Sequence, residues 1–560
     1  MLKEGSGRFI SKYKNGLISL LFCALALVTA LLLHPIYETN DDPAMEALLF
    51  GLPGESGTSY LVFLNRILGI ILLALVTVIP QINWYFVMHY AVCLTSMFVL
   101  SRTLISKFGK NGIFLSAIVT AASVETLYSV QFTKTGAIAA VAGMIGLMYA
   151  LREERKNKVF AGLCIGLIIM GSMYRLEALL MVGPFLFVVF LFELIDVIKN
   201  QKAKTKVFIA VPAITLCLVL AFYLAGNLIN KNTPGSDEFV RYNTYRARLT
   251  DYSYEVDSSD SSYSELLMAA NWMHNDPEVF TPEKLEELSG KVEVDTNARS
   301  GKSTLELFGE YISDALIGEP MLLISLIAAV VILLFSKKKL YVPLLFCCYV
   351  FLELYMIKNG RYSLHRVDFG IHYALLMSLI YPAAVSMPKI NESIKKIINY
   401  AVMPFAVIVA VLVAIWFPVN WFKSQKDYQL SCSKWMNDAV SQEGGCQYMV
   451  HPKTAATDVT RNIYDLPKEG EPAGCFYMGG WSNGVVIPGL ENTSSCDIKG
   501  NPWEECIDSD TIRIVMPKDR GDYYIKIVSL YIRDHYNVKV TGVMEYQNDG
   551  VSVYRIETAS

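Results

Sequence analysis

The chain has 560 residues, of which 53% are hydrophobic and only 18% are charged. Soluble domains carry about 25% charged residues, so this composition excludes an ordinary soluble protein. Acidic and basic residues nearly cancel, 52 against 49, and the net charge of −3 provides no global basic field. Nucleic acid is therefore not expected as a partner.

Long apolar runs recur along the chain. A hydrocarbon core of about 30 Å requires a helix of about 20 residues, because no water is available there for backbone groups. About eleven runs qualify as membrane spans by this standard; they are 17–33, 84–100, 113–130, 135–151, 159–173, 176–198, 207–229, 321–335, 340–357, 369–385 and 400–421. The sequence predicts a mainly α fold, a polytopic bundle of membrane helices.

The distribution of Lys and Arg predicts the orientation. Basic residues concentrate at the N-terminus and in short segments between the runs: 102–110, 152–158, 199–206, 337–339 and 389–396. The positive-inside rule places these segments in the cytoplasm, and the segment 34–60, which has no Lys or Arg, outside. A further apolar run, 61–79, would reverse this order if it crossed, and it contains Asn65 and Arg66. We expect it to be an outer juxtamembrane or re-entrant helix, with the C-terminal domain extracytoplasmic.

Four parts follow from this pattern. Residues 1–229 form an N-terminal membrane core with an external loop at 35–60, and 320–421 form the later membrane helices. Residues 230–319 form an external loop domain, in which Ser262 with Glu265 predicts a capping box and Thr281 with Pro282 predicts a helix start. Residues 422–560 contain short β-rich runs around an amphipathic stretch and predict a small extracytoplasmic α/β domain. This last part holds five cysteines for which structural disulfides are expected, with a connectivity that spacing does not reveal: Cys432, Cys446, Cys475, Cys496 and Cys506.

An acidic pair, Asp41 and Asp42, follows the first span and has no basic neighbour in sequence. Two adjacent carboxylates can divide their roles, since one can accept a proton while the other orients a hydroxyl or holds a divalent cation. The alternative is a solvated turn in which Asp42 caps a helix whose first residue is Pro43.

Other ionisable residues are predicted at the same outer face. The cationic candidates are Lys134, Arg175, Lys358, Arg361, His365 and Arg366, and the acids are Glu125, Glu177 and Glu353. The segment from Lys358 to Arg366 defies the positive-inside bias, although each residue alone would also fit a salt bridge or a snorkelling anchor. Cations that hold a lipid-linked phosphate, beside a carboxylate that deprotonates an attacking hydroxyl, are the requirements of glycosyl transfer.

The chain resembles the GT-C superfamily of polyprenyl-phosphate-sugar-dependent glycosyltransferases. The resemblance lies in the N-terminal helix, an external loop opening with Asn40-Asp41-Asp42, a juxtamembrane helix, the many spans and the extracytoplasmic C-terminal domain. Protein O-mannosyltransferases and the lipid A aminoarabinose transferase belong to this superfamily. Three strings are more closely similar to a group of largely uncharacterised bacterial GT-C-like membrane proteins: Ile82-Asn83-Trp84-Tyr85, Gln131-Phe132-Thr133-Lys134-Thr135 and His365-Arg366-Val367-Asp368.

The resemblance implies a multi-pass enzyme of the plasma (inner) membrane with its N-terminus in the cytoplasm. Asp41 would be the catalytic base, and Asp42 would support it or join it in binding a divalent cation, Mg²⁺ or Mn²⁺. The candidates for holding the lipid phosphate are Arg361, His365 and Arg366, followed by Lys358, Arg175 and Lys134. The partners implied are a polyprenyl-phosphate-linked sugar donor, a glycan, lipid or protein acceptor, and membrane lipids. The chain departs from better-known members in having Asp-Asp rather than Asp-Glu and in lacking a proline-rich string after the juxtamembrane helix.

Two other functions remain open from the sequence. A transporter or flippase of lipid-linked saccharides would use the same cations as a headgroup path. Such a protein should have ionisable residues at the membrane midplane or helices broken by Gly or Pro in matching halves, whereas the charges here collect at one face. A non-catalytic membrane protein of envelope assembly would not need the acidic pair.

Overall fold

The computed structural model describes residues 2–51, 56–153, 157–252, 254–293, 301–335, 339–359, 361, 364–381, 403–442, 446–454, 461–467, 475–481, 487–488 and 501–559. The expected mainly helical architecture with a small C-terminal sheet is confirmed. The helices of the membrane body are α1 (Leu2–Leu32), α3 (Arg66–Val78), α4 (Trp84–Phe108), α5 (Lys110–Ser123), α6 (Glu125–Tyr128), α7 (Phe132–Arg152), α8 (Lys158–Tyr174), α9 (Leu176–Asn200), α10 (Thr205–Lys231), α14 (Thr304–Gly318), α15 (Pro320–Phe335), α16 (Tyr341–Lys358), α17 (His365–Ile380) and α18 (Met403–Gln442).

The expected count of eleven membrane spans is not confirmed in the described part of the chain. Among the described residues, six helices are long and apolar enough to cross a membrane, or seven if α14 and α15, bent by 91° at their junction, form one span. The run at 113–130 is divided between α5 and α6 at Val124, and α8 has only 17 residues. The runs at 369–385 and 400–421 lie partly outside the described residues. Hydropathy detects apolar composition, but it does not locate breaks in a helix.

The first external loop, between α1 and α3, is short and forms one strand and one helix. After α1 comes β1 (Ile36–Tyr37), which pairs in parallel with β2 (Ser129–Val130) immediately before α7. Helix α2 (Asp41–Phe50) follows, and the Asn65 side chain then caps α3 by accepting from the Ile67 amide. Helix α3 has 13 residues, too few to cross a hydrocarbon core of about 30 Å unaided.

The soluble segments form α11 (Ser236–Asp251), α12 (Tyr263–Ala270), α13 (Pro282–Lys291), α19 (Pro502–Glu505) and α20 (Gly521–Tyr536). The strands are β3 (Gln447–Val450), β4 (Cys475–Tyr477), β5 (Ile512–Pro517), β6 (Val540–Gln547) and β7 (Val551–Thr558), in the order β4-β3-β5-β7-β6. Strands β3, β4 and β5 are parallel, whereas β7 runs antiparallel to both β5 and β6. Helices α11 to α13 share one hydrophobic core with this sheet and α20, so the loop 230–319 and the C-terminal domain form a single unit, which we call the extracytoplasmic unit after the location expected from the sequence.

Local signals in this unit gave mixed outcomes. Thr281 caps α13 and Pro282 follows as its first residue, as predicted. The capping box predicted at Ser262 is absent, because the Ser262 side chain makes no cap hydrogen bond. A capping box forms instead between Ser303 and Glu306 at the start of α14.

The disulfide expectation is wrong for two of the five cysteines of the C-terminal part. Cys432 and Cys506 are buried free thiols that lie in two different hydrophobic clusters of this part of the chain. Cys496 lies outside the described residues. Small apolar side chains pack readily in such cores without a cross-link.

Candidate active site

The acidic pair lies at the N-terminal end of α2. Asn40 occupies the N-cap position and Asp41 begins the helix, so Pro43 is not its first residue. Asp42 is fully buried, whereas Asp41 is only partly buried. The alternative in which Asp42 caps the helix in a solvated turn is therefore wrong.

Asp42 lies in an aromatic enclosure at the N-terminal end of α4. The Tyr85 hydroxyl donates to Asp42 Oδ1 at 2.9 Å, and His89 Nε2 lies 3.8 Å from the same oxygen. Burial raises the pKa of Asp42 well above its usual value, and the nearby charges of Asp41 and Glu38 add to the rise. This environment favours the protonated, neutral carboxyl.

Asp41 faces a different set of groups. The indole N–H of Trp481, in the C-terminal domain, donates to Asp41 Oδ1 at 3.0 Å. The Trp481 ring meets Phe63 edge to face at 6.1 Å, and Phe63 in turn stacks on Phe132 at 5.3 Å. The guanidinium of Arg175 lies over both phenylalanine rings, at 5.8 and 5.2 Å from their centres. Asp41 is thus bordered by an aromatic wall with a cation at its edge.

Three of the predicted cations lie in one electrostatic neighbourhood. Arg175 donates to Thr133 Oγ1 at 2.9 Å and is close enough to feel the charges of Arg361, Arg366 and Asp41. Arg361 lies 3.7 Å from a carboxylate oxygen of Asp251 in the external loop. Among the described residues, Arg366 has no carboxylate within salt-bridge distance. We call these three arginines, Arg175, Arg361 and Arg366, the arginine face. Lys358 is exposed at the last turn of α16.

The other two predicted cations, Lys134 and His365, are paired with carboxylates. Lys134, with no exposed side-chain surface, is ion-paired with both Glu38 and Glu125. His365 Nε2 lies 2.7 Å from Glu125 and its Nδ1 lies 3.4 Å from Glu319. We call this chain of five residues, from Glu38 through Lys134, Glu125 and His365 to Glu319, the buried ion-pair chain. Its cations already have carboxylate partners.

Several of these residues were missed from the sequence. Glu38 precedes the acidic pair in the same loop, and this proximity was the available signal. Tyr85 and His89 are one helical turn apart and therefore share a face of α4, but aromatic residues at that spacing are usual in a helical core. Nothing local to Trp481 indicates Asp41 as its partner, which lies 440 residues earlier.

The described part of the chain contains no preformed cage of side chains for a divalent cation. Mg²⁺ and Mn²⁺ take several oxygen ligands, yet among the described residues no group of three His, Cys, Asp or Glu side chains is arranged to hold a metal ion. Asp42 is enclosed by Tyr85, and Asp41 is bonded to Trp481. The chemistry of the site is therefore described through its side chains alone.

Comparison with known proteins gives a structural likeness only. No family model matches the chain, and no curated protein matches it. Two solved structures are similar, both crystal structures of ArnT from Cupriavidus metallidurans, one bound to undecaprenyl phosphate and one in the apo state. Their TM-scores are 0.47 and 0.39; each is 9% identical in sequence, and each alignment covers 96% of this chain and 97% of ArnT. ArnT is the lipid A aminoarabinose transferase, one of the GT-C proteins that the sequence resembles.

Proposed function

We propose that this protein is a membrane glycosyltransferase that moves a sugar from a polyprenyl-phosphate-linked donor to an envelope glycan, lipid or protein acceptor at the outer membrane face. The observation that carries the proposal is the placement of Asp41, a partly exposed carboxylate, beside the aromatic wall at whose edge Arg175 of the arginine face lies. A base beside several cations suits a reaction in which a hydroxyl loses a proton and a phosphate leaves.

The reaction is a single displacement with inversion. Asp41 accepts the proton of the acceptor hydroxyl, whose oxygen attacks the anomeric carbon of the donor sugar. The bond between that carbon and the lipid phosphate oxygen breaks, and the phosphate leaves with the electron pair. Arg175, Arg361 and Arg366 stabilise the negative charge that develops on the leaving phosphate.

The two aspartates have separate roles in this scheme. Asp41 is reachable from outside, whereas Asp42 has no exposed surface and cannot meet an acceptor hydroxyl directly. A neutral Asp42 also removes a like charge from beside Asp41. Asp42, bonded to Tyr85, anchors the start of α2 on α4.

The buried ion-pair chain gives the site a fixed geometry. Glu38 belongs to the loop that carries Asp41, and His365 begins α17, the helix that carries Arg366. Lys134 and Glu125 connect them through ion pairs, so the base and one phosphate-binding arginine are held in a constant relation. Pre-set geometry of this kind lowers the entropic cost of the reaction.

The topology that accompanies the proposal has the N-terminus in the cytoplasm and the extracytoplasmic unit outside. The positive-inside bias supports it, because Lys107, Arg152 and Lys199 lie in the last turns of α4, α7 and α9, whereas the residues near Asp41 lie at the other ends of these helices. At the outer face of a bacterial inner membrane, undecaprenyl-phosphate-linked sugars are the matching donor class.

The test is Asp41→Asn, which keeps the size of the side chain and removes its basicity. We expect transfer to fall by a factor of about 10²–10⁴, the usual contribution of a general base. Mass spectrometry of envelope glycans and polyprenyl-linked sugars, in a deletion strain complemented at matched protein levels, should show one sugar missing and its lipid-linked donor accumulating. Asp237→Asn, an exposed aspartate of α11, is the matched control and should restore the wild-type profile.

A wild-type glycan profile for Asp41→Asn would contradict the catalytic assignment. If the deletion still altered the glycans in that case, the protein would act in envelope assembly or in transport instead.

One observation favours the second candidate, a flippase of lipid-linked saccharides. Helices α14 and α15 break at Gly318-Glu319-Pro320, and Glu319 faces both His365 and His372 at 3.4 and 3.6 Å. Broken helices with buried ionisable groups are typical of transporters. Reconstitution in vesicles with a fluorescent undecaprenyl-phosphate lipid separates the two functions, because a flippase makes the lipid accessible on both leaflets without any acceptor, and Glu319→Gln should abolish that movement.

A further inference from the structure

The C-terminal domain contributes one side chain, Trp481, to the surroundings of the proposed catalytic base. Its indole N–H donates to Asp41 Oδ1 at 3.0 Å, and its ring is 7% exposed and packed against Phe63. An indole nitrogen can only donate, so this bond favours the ionised carboxylate over the neutral acid. The side chain thus has both a packing contact and a directional bond to Asp41.

The turn that carries Trp481 is built for one position. Gly480 has φ +116°, a conformation that favours glycine, and a Cβ on Gly479 would lie 2.3 Å from the carbonyl oxygen of Trp272. The Gly480 amide donates to His274 Nε2 at 3.4 Å. Trp272 and His274 belong to the loop 230–319, so that loop holds the turn in place.

A second contact fixes the same domain on the helix of the acidic pair. Glu46 of α2 is fully buried and is ion-paired with Arg461 of the C-terminal domain. The Tyr37 hydroxyl donates to Glu46 at 2.8 Å, and Asn83 donates both to Glu46 and to the carbonyl oxygen of Ile463. Burial raises the pKa of Glu46, while the guanidinium of Arg461 acts in the opposite direction. The C-terminal domain therefore contacts α2 at two places, Asp41 and Glu46.

We propose that Trp481 is a positioning residue for Asp41, and that the extracytoplasmic unit completes the active site by holding it there. The inference rests on the proposed glycosyltransferase function. The bond from the indole to Oδ1 fixes the carboxylate plane and leaves Oδ2 to accept the proton of the acceptor hydroxyl. Trp481 itself neither touches the reacting atoms nor holds the lipid phosphate, which lies with the arginine face.

The test is Trp481→Phe in the full-length protein, because phenylalanine keeps an aromatic ring against Phe63 and removes the N–H. Because a hydrogen bond to a charged carboxylate is lost, we expect the rate of transfer to fall by a factor of about 10–100. The dissociation constant for undecaprenyl phosphate, measured on the purified protein, should stay within about twofold, since no cation is altered. Gly480→Ala keeps tryptophan at position 481 but strains the turn that positions it. This variant should lower transfer and leave the dissociation constant unchanged in the same way.

The matched control is Trp435→Phe. Trp435 is buried in the C-terminal domain against Tyr448, at 5.1 Å between ring centres. The substitution removes the same indole N–H at a position away from Asp41. It should leave transfer unchanged at matched protein levels and melting temperature.

The outcomes separate the two proposals. If Asp41→Asn is inactive while Trp481→Phe and Gly480→Ala transfer at the wild-type rate, the positioning role is refuted and the transferase stands. If Trp481→Phe weakens undecaprenyl phosphate binding in proportion to transfer, Trp481 binds the donor and the positioning role is also refuted. If Asp41→Asn itself is fully active, the transferase proposal fails, and the role of Trp481 fails with it.

Discussion

Two groups of cations at the same end of the molecule differ in how closely they are paired with carboxylates. In the buried ion-pair chain, Lys134 is wholly enclosed and contacts two carboxylates. In the arginine face, Arg175 and Arg361 each lie 3.7 Å from one carboxylate, and the partly exposed Arg366 has none within salt-bridge distance among the described residues. Cations at a membrane face can therefore form structural ion pairs or remain available to bind an anion. Their burial and their pairing with carboxylates distinguish the two roles.

The largest expected effect is on the free energy of unfolding when Lys134 is replaced. Replacing it by Met leaves Glu38 without its cation and Glu125 with only one, which should lower the free energy of unfolding by about 3–5 kcal/mol. Equilibrium unfolding in detergent micelles measures the change. Lys518→Met is the control, because Lys518 pairs with Asp549 at 3.1 Å on the exposed surface and should cost at most about 1 kcal/mol. Equal losses for the two variants would contradict the distinction.

A second variant tests the arginine face directly. Arg366→Gln should weaken the binding of undecaprenyl phosphate about tenfold to a hundredfold, since a charge-assisted contact to the phosphate is lost. Its stability should change by less than about 0.5 kcal/mol, as is usual for a partly exposed side chain without a buried partner. The control is Arg102→Gln, which lies about 25 Å along α4 from Tyr85 at the helical rise of 1.5 Å per residue. Similar losses of affinity in both variants would indicate non-specific attraction of the lipid.

The smallest expected effect comes from comparing a histidine that faces carboxylates with two that face backbone groups. His365 faces two carboxylates, whereas His274 and His451 of the extracytoplasmic unit face backbone groups of Gly480 and Asn271. Burial lowers the pKa of His274 and of His451 to about 3. Since each folded pKa lies below the unfolded value of 6.5, the unfolded state binds more protons and stability is lost as the pH falls below about 6.5.

This proton linkage predicts a loss of about 1 kcal/mol for each of the two histidines between neutral pH and pH 6. Thermal unfolding of the full-length protein at the two pH values measures it. The double variant His274→Gln with His451→Gln should lose that part of the pH dependence. An unchanged dependence in the double variant would assign it to other groups.

The sequence predicted the parts of the fold that depend on local physics. Apolar runs revealed a membrane bundle, Thr281 with Pro282 predicted the start of α13, and the acidic pair drew attention to the first external loop. The break at Val124 escaped detection because an apolar run has the same hydropathy whether or not its helix is continuous. Ser262 and Ser303 show the same limit for caps, since both precede an acid by three residues and only Ser303 forms the box.

The candidate site was predictable in its residue types and less so in its pairings. Lys134 and His365 were grouped with the arginines because all are cations at one predicted depth. Which of them meet Glu38, Glu125 and Glu319 depends on how distant helices pack, and no local pattern carries that information. The same holds for Trp481, whose partner is set by the docking of a separate domain.

The shared core of the extracytoplasmic unit sets the order in which the protein can mature. Helices α11 to α13 emerge from the ribosome early, but the sheet on which they pack begins only at Gln447. Until that sheet has been translated, the apolar faces of α11 to α13 lack the sheet as their partner, and the turn carrying Trp481 does not exist. The membrane helices can therefore insert long before the bond between Trp481 and Asp41 is able to form, so that this contact is a late event of synthesis.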